Sequence, residues 1–358
     1  MKSSRAHGRY ALTALAALTT LGLTVTGCST MGEESSDTSS DSSVVLVTHD
    51  SFVLPKELKK KFEQESGYDL VVRASGDAGQ LTNKLVLTKD DPIGDVAFGV
   101  DNTFASRALD AGVFAPYSFD EPDGVSDYAL PGDDDHRLTP VDNGNVCVNV
   151  DDTWFADHHL APPKNLDDLT DPAYRDLFVL PGAATSSTGM AFLLATIAAY
   201  GDGWQDYWSK LMDNGAKLTA GWSDAYEVDF TQGGGSGDRP IVLSYESSPA
   251  FTVPKGSKTS STSALLDTCF EQVEYAGVLE GAGNVDGAEA FVRFMDSPEV
   301  QAALPESMYV FPDADGVKLP SDWARYAVQP THPYAVDPAD VAAHRDEWLR
   351  DWSDITSR

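Results

Sequence analysis

The sequence predicts an α/β protein made of two α/β units that face each other across a cleft. Short apolar segments alternate with stretches of helical periodicity, and caps and breakers punctuate the alternation at the expected places. The chain of 358 residues is 42% hydrophobic and 10% aromatic, enough for a large core and for about two domains. Val44–Thr48 reads as the first strand, and Pro55 opens a helix carrying Leu58 and Phe62 that Gly67 closes. Leu70–Arg73 is the next strand, and Leu81, Leu85 and Val86 line one face of a second helix. Asp95–Val100 follows as a strand, Asp101 or Asn102 caps the helix after it, and Ala111-Gly112 ends that helix. Such a run implies a parallel sheet covered by helices.

After Pro140 come a Val-rich strand, Asn145–Val150, and a Pro-rich connection through Pro162 and Pro163. Strand Leu177–Pro181, helices Met190–Tyr200 and Asp202–Asn214, and strands Ala216–Thr219 and Pro240–Ser244 continue the pattern. Gly233–Gly237 is a loop without the Lys-Ser/Thr that a phosphate-cradling loop requires, and Gly256–Ser263 is a second polar loop. Helices recur at Ala288–Asp296 and Ala339–Trp352.

The N-terminus reads as a targeting segment. Lys2, Arg5 and Arg9 precede an apolar stretch from Tyr10 to Val25 that is short, rich in Thr and Gly, and ends at Val25-Thr26-Gly27-Cys28. That is the architecture of a lipoprotein signal, cut before a Cys that then carries lipid, rather than of a membrane-spanning helix. Residues 1–27 are the expected signal peptide, and 28–43, rich in Ser, Thr, Asp and Glu, the expected flexible tether. Lipid and tether would hold an exported globular body at the outer face of the cell membrane, and that body divides into residues 44–143 with 250–358 as one lobe and 144–249 as the other.

With 25 Lys and Arg against 56 Asp and Glu, the formal net charge is −31. The discarded peptide holds three basic residues and no acid, so the exported body is more acidic still. That charge excludes phosphate-backbone binding and a polybasic membrane dock. It suits solubility or a salty exterior, with a few acids available to face a cation. Cys147 and Cys269 remain either to pair in an oxidising compartment or to stay as buried thiols. No metal-ligand spacing occurs among the Cys and His residues.

Ligands in such sheets sit outside the carboxyl ends of strands, so the residues there are the candidates. They are His49 and Asp50, Asp77, Asp101-Asn102, Asp142, the run Thr185-Ser186-Ser187-Thr188-Gly189, Trp222 and Tyr226, and Tyr245-Glu246. An Asp at a strand end is also the ordinary helix cap. The Thr185–Gly189 run precedes a helix, where hydroxyls and free N–H groups either cap it or receive an anion. Trp222 and Tyr226 form one helix face or offer flat rings to a planar cation.

Thr48-His49-Asp50-Ser51-Phe52, Val100-Asp101-Asn102, Thr219–Tyr226 (Thr-Ala-Gly-Trp-Ser-Asp-Ala-Tyr) and Val242–Tyr245 with Ser248-Pro249-Ala250 carry a resemblance. So do Phe294–Pro298, the stretch Pro305–Pro312, and Val341–Arg345 with Trp348 and Trp352. Over essentially all of Val44–Arg358 the chain resembles the thiamine-binding family of substrate-binding lipoproteins and periplasmic proteins that feed ABC transporters. The resemblance implies a two-lobed type II periplasmic-binding-protein fold closing over thiamine or its phosphates, with no further cofactor, no catalysis, and a permease with its ATPase as partners. It implies that Asp77 meets the aminopyrimidine, that Trp222, Tyr245 and Tyr309 wall the rings, and that Thr185–Gly189 faces the hydroxyethyl or phosphate end. His49 stands where the family has Tyr, Tyr309 where it often has Trp, and the Gly233–Gly237 loop looks like an insertion. The chemistry agrees: a thiazolium nitrogen has no N–H, so a carboxylate field with aromatic faces suits it, and an ionised Asp accepts from the exocyclic amine. Related alternatives are a receptor for iron, a polyamine or a phosphate ester. Thiamine-cleaving transferases are also similar, and in that reading Cys147 would act as nucleophile with Glu246 as acid.

Overall fold

The computed structural model describes residues 42–358; the signal peptide, Cys28 and most of the tether lie outside them. In chain order the regular elements are β1 (Ser43–Thr48), α1 (Lys56–Ser66), β2 (Asp69–Ala74), α2 (Ala78–Leu87), β3 (Val96–Asp101), α3 (Ala105–Asp110), β4 (Thr139–Asp151) and α4 (Asp152–Asp157). They continue with β5 (Phe178–Pro181), α5 (Ser187–Tyr200), α6 (Trp204–Asp213), β6 (Lys217–Thr219), β7 (Ile241–Tyr245) and β8 (Thr262–Val278). The chain closes with α7 (Val285–Met295), α8 (Pro298–Met308), β9 (Phe311–Pro312), α9 (Trp323–Tyr326) and α10 (Pro338–Thr356). Among the described residues no helix is long and apolar enough to cross a membrane.

All strands join one mixed sheet in the order β2-β1-β3-β8-β4-β7-β5-β6, with β9 on β4. The parallel sheet expected of the first strand–helix run is present, and a second parallel group forms in the other half. β1 pairs parallel with β2 and β3, and β5 parallel with β6 and β7, but β4 and β8 run antiparallel to each other and to their other neighbours β7 and β3. The antiparallel pair at the centre is what joins the two parallel halves. β8, the longest strand, is absent from the sequence reading, and β4 begins six residues before the expected Asn145. Asp142, Asn143 and Gly144 look like a loop in sequence but are buried on β4 beside β8. Pro140 sits at a register shift, where a missing N–H is tolerated. Cys147 and Cys269 form a disulfide beside the second register shift, stapling β4 to β8.

Local signals place the elements of the first half. Pro55 precedes α1, Gly67 closes it with φ +80°, and Asp77 caps α2 in a reciprocal box with Gln80. Asp101 accepts from the Phe104 N–H at 3.2 Å, whereas Asn102 is drawn to β8, donating to the Glu271 carbonyl at 3.1 Å. In the second half the first ten residues of α5 are buried on every side. α10 packs Trp352 edge-on against Trp208 of α6 and lays the Arg345 guanidinium 4.7 Å over the Phe104 ring. The C-terminal helix thus touches both halves rather than one.

Candidate functional site

A cavity of about 270 Å³ opens where the ends of β1, β7 and β8 meet the starts of α2 and α5. His49, at the end of β1, and Glu274, on β8, form its buried floor, with His49 Nε2 3.3 Å from Glu274 Oε1. Burial alone would lower the His49 pKa, but the Glu274 carboxylate, and more weakly Asp77 and Asp50, outweigh it and raise the value.

Trp222, Tyr245 and Tyr309 line one side. The Trp222 indole N–H donates to Ser244 Oγ at 2.9 Å, which lies 2.8 Å from Ser248 Oγ, so the ring is fixed by hydroxyls of the next strand and turn. Tyr226 stacks behind Trp222 with centroids 5.0 Å apart and planes 10° from parallel. It stands in a single wide helical turn, Asp224–Asp229, and backs Trp222 without lining the cavity. The Gly233–Gly237 loop packs on this turn so closely that a Cβ at Gly233 would stand 1.6 Å from the Tyr226 carbonyl oxygen. Tyr309 follows α8 in the left-handed region, φ +66°, a conformation uncommon for a ring-bearing residue. The Ser247 hydroxyl donates to its carbonyl at 2.5 Å, and Phe251 stacks on its ring at 3.7 Å.

Ser187 and Thr188 supply the hydroxyl end at the start of α5. That helix start has no side-chain cap, so no side chain at its N-cap takes up the first-turn N–H groups. The other members of the run are used inside the fold. Thr185 donates to the Ala220 carbonyl at 2.7 Å, Ser186 pairs with Thr188 at 3.0 Å, and Gly189 presses on the Gly182 backbone.

The two halves meet directly across the cleft. The Thr185 carbonyl accepts from the Gly79 and Gln80 N–H groups at 3.0 and 3.2 Å. Asp77 accepts from Ala78 N–H at 2.6 Å and from Trp222 N–H at 2.8 Å, capping its own helix and reaching the opposite half with one carboxylate. Burial raises its pKa, and these hydrogen bonds oppose the rise.

Two candidate acids lie away from the cavity. Asp142 is wholly buried on β4, directly opposite Glu274, where burial and then the Glu274 and Asp313 charges push its pKa well up. Glu246 accepts from Asn145 N–H and its side-chain amide at 2.7 and 2.8 Å; burial lifts its pKa to about 7 against these bonds. The Cys147 sulfur is committed to the disulfide, which removes the thiol that a covalent mechanism would need. Conversely, Glu274 and Met308 line the cavity without having been singled out from sequence, and Ser51 and Ser223, which line it too, entered only as members of longer motif blocks. The carboxylate of Glu274 was recoverable only by recognising β8 as a strand.

A model of the bacterial extracellular solute-binding protein family matches residues 91–330. The chain is 31% identical over 326 residues to the thiamine-binding periplasmic protein of Brucella melitensis, covering 88% of this chain and 92% of that one. It is 29% identical over 321 residues to the thiamine-binding periplasmic protein of Escherichia coli, covering 88% and 94%. Among solved structures, a periplasmic thiamin binding protein superposes with a TM-score of 0.77 at 28% identity, over 88% of this chain and 96% of that one.

Proposed function

We propose that this chain, which belongs to the bacterial extracellular solute-binding protein family, holds thiamine or a thiamine phosphate between its two halves and delivers it to an ABC permease and its ATPase. One observation carries the reading: the cavity sets the rings of Trp222, Tyr245 and Tyr309 against buried Glu274 and half-buried Asp77, and among the described residues no Lys or Arg lines it. Aromatic faces and carboxylates attract a cationic ring nitrogen that has no N–H, and the carboxylates accept from the exocyclic amine of the ligand's other ring. The relatives named for binding thiamine support the same ligand. Ser187, Thr188 and the uncapped start of α5 would receive the hydroxyethyl or phosphate end. His49, Asp77, Trp222, Tyr245 and Tyr309 would contact the ligand, with Tyr226 and Asp142 supporting that shell from behind. The protein acts by binding and release, not catalysis, and works as a monomer anchored outside the membrane through lipid on Cys28, with residues 28–43 as tether.

A thermal-shift panel tests the assignment. Thiamine and its phosphates raise the melting temperature, whereas spermidine, ferric citrate and hexose phosphates leave it unchanged. A shift with one of the latter and none with any thiamine form would replace the assignment.

A further inference from the structure

The carboxylates around the cleft are not equivalent. Both oxygens of Asp77 already accept backbone N–H groups, from Ala78 and Trp222. Asp50 accepts from Gly76 N–H at 3.0 Å, and Glu227 stands exposed at the rim. Glu274 is 5% exposed, and among the described residues no backbone N–H engages its carboxylate. Its neighbour is His49 Nε2 at 3.3 Å, a buried nitrogen that makes no aligned hydrogen bond. The two stand at ion-pair distance without an aligned hydrogen bond, and both border the cavity.

The sheet holds Glu274 rigidly. It lies on one rung with Asp101 of β3 and Asp142 of β4, directly opposite each in the register, with three carboxylates on adjacent strands. Three like charges there would repel. Burial chiefly, with the Glu274 charge adding to it and the Thr103 hydroxyl opposing it, lifts Asp101 to about 8, and Asp142 is pushed well up for similar reasons. Of the three, Glu274 is the member of the rung that borders the cavity.

We propose that Glu274 is the specificity-determining carboxylate of the cleft, accepting the N–H of the ligand's exocyclic amine, while Asp77 chiefly ties the two halves together. The proposal rests on the thiamine reading and names the group that distinguishes an aminopyrimidine from its carbonyl analogue. An ionised carboxylate only accepts, so an analogue with a carbonyl in place of the amine would set oxygen against oxygen. Sites built around such a hydrogen bond reject the mismatched partner strongly.

Calorimetric titration of the purified protein with thiamine and with the 4-oxo analogue tests this. The unaltered protein is expected to bind the amine at least about tenfold more tightly, from the worth of a hydrogen bond to a charged group. Glu274→Gln should weaken thiamine binding about 10- to 100-fold and shrink or invert the preference, because an amide N–H can donate to the carbonyl. Asp77→Asn should weaken both ligands alike. If the unaltered protein fails to bind thiamine, the functional reading falls and this proposal with it. If it binds thiamine and Glu274→Gln keeps both affinity and preference, the proposal alone is overturned. Loss of the preference in Asp77→Asn instead would also overturn it. Should Glu274→Gln not fold, as its melting curve would reveal, the unaltered protein decides: equal affinity for the two ligands contradicts the proposal.

Discussion

At Gly79 the two halves press closely together, and Gly79→Ala tests whether the ligand-holding form depends on that contact. A Cβ there would lie 2.8 Å from Phe104 Cζ and the Thr185 carbonyl carbon, and 2.9 Å from the Ala184 carbonyl oxygen. Two of these are backbone atoms that no rotamer change can move aside. Relief comes from parting the halves, which breaks the Gly79 and Gln80 hydrogen bonds to the Thr185 carbonyl. At about 1 kcal/mol net for each bond, the joined form loses about 2 kcal/mol, equivalent to roughly 30-fold in affinity. Residual overpacking, typically about 1–3 kcal/mol, adds to this. A ligand that needs the joined form is charged the whole of that difference. Titration with thiamine should therefore show a dissociation constant about 30-fold higher or more, with one-to-one stoichiometry intact. A constant within about threefold of the parent's would refute the claim that α2 and the turn before α5 meet in the bound state.

Other perturbations separate the parts of the account. Asp296, buried with both carboxylate oxygens lacking a hydrogen-bond partner, has its pKa lifted from 3.8 to about 8, by burial first and then by Glu121 and Asp313. The folded state therefore holds a proton that the unfolded state releases above pH 4, so its contribution to stability is full below that pH and is lost as pH rises toward 8. Asp296→Asn should flatten the fall in melting temperature between pH 5 and 8 and raise it by about 2–4 °C at pH 8; a lower melting temperature at pH 8 would contradict this. Replacing Cys147 and Cys269 together by Ala should cost about 2–5 kcal/mol in denaturant unfolding, and an unchanged midpoint would show that the β4–β8 staple contributes nothing. Ser187→Ala should weaken the phosphates of thiamine while sparing thiamine itself; equal losses for all forms would take the anion role away from the start of α5.

The first half of the fold was legible because its signals are local. Pro55, Gly67 and the strand-end Asp77 mark helix ends within a few residues of the features they delimit. β8 was illegible for the opposite reason. Its Asp267, Glu271, Gln272 and Glu274 look like surface residues, and only pairing with β3 and β4, over a hundred residues away, explains the burial of Gln272 and Glu274. α8 was hidden by Pro305 inside it, which ordinarily argues for a break. In the site, Trp222 and Tyr245 were readable as residue types beside strand ends, whereas Tyr309, at the end of α8, came only from the family resemblance. The parts played by Tyr226, Gly189 and Asp142 were not, because sequence names a residue near a cleft without saying which way the pleat or turn aims it. Asp77 met both expectations set for a strand-end Asp, capping a helix and bordering the cavity.

The central claim is that the cleft between the halves is a thiamine site. Calorimetry of the purified protein with thiamine, repeated on Trp222→Ala, tests it most directly. The account predicts saturable one-to-one binding by the parent and a large loss in the variant, whose ring faces the cavity from a hydroxyl-fixed position. No heat at any concentration with thiamine or either phosphate, or binding that Trp222→Ala leaves untouched, would contradict it.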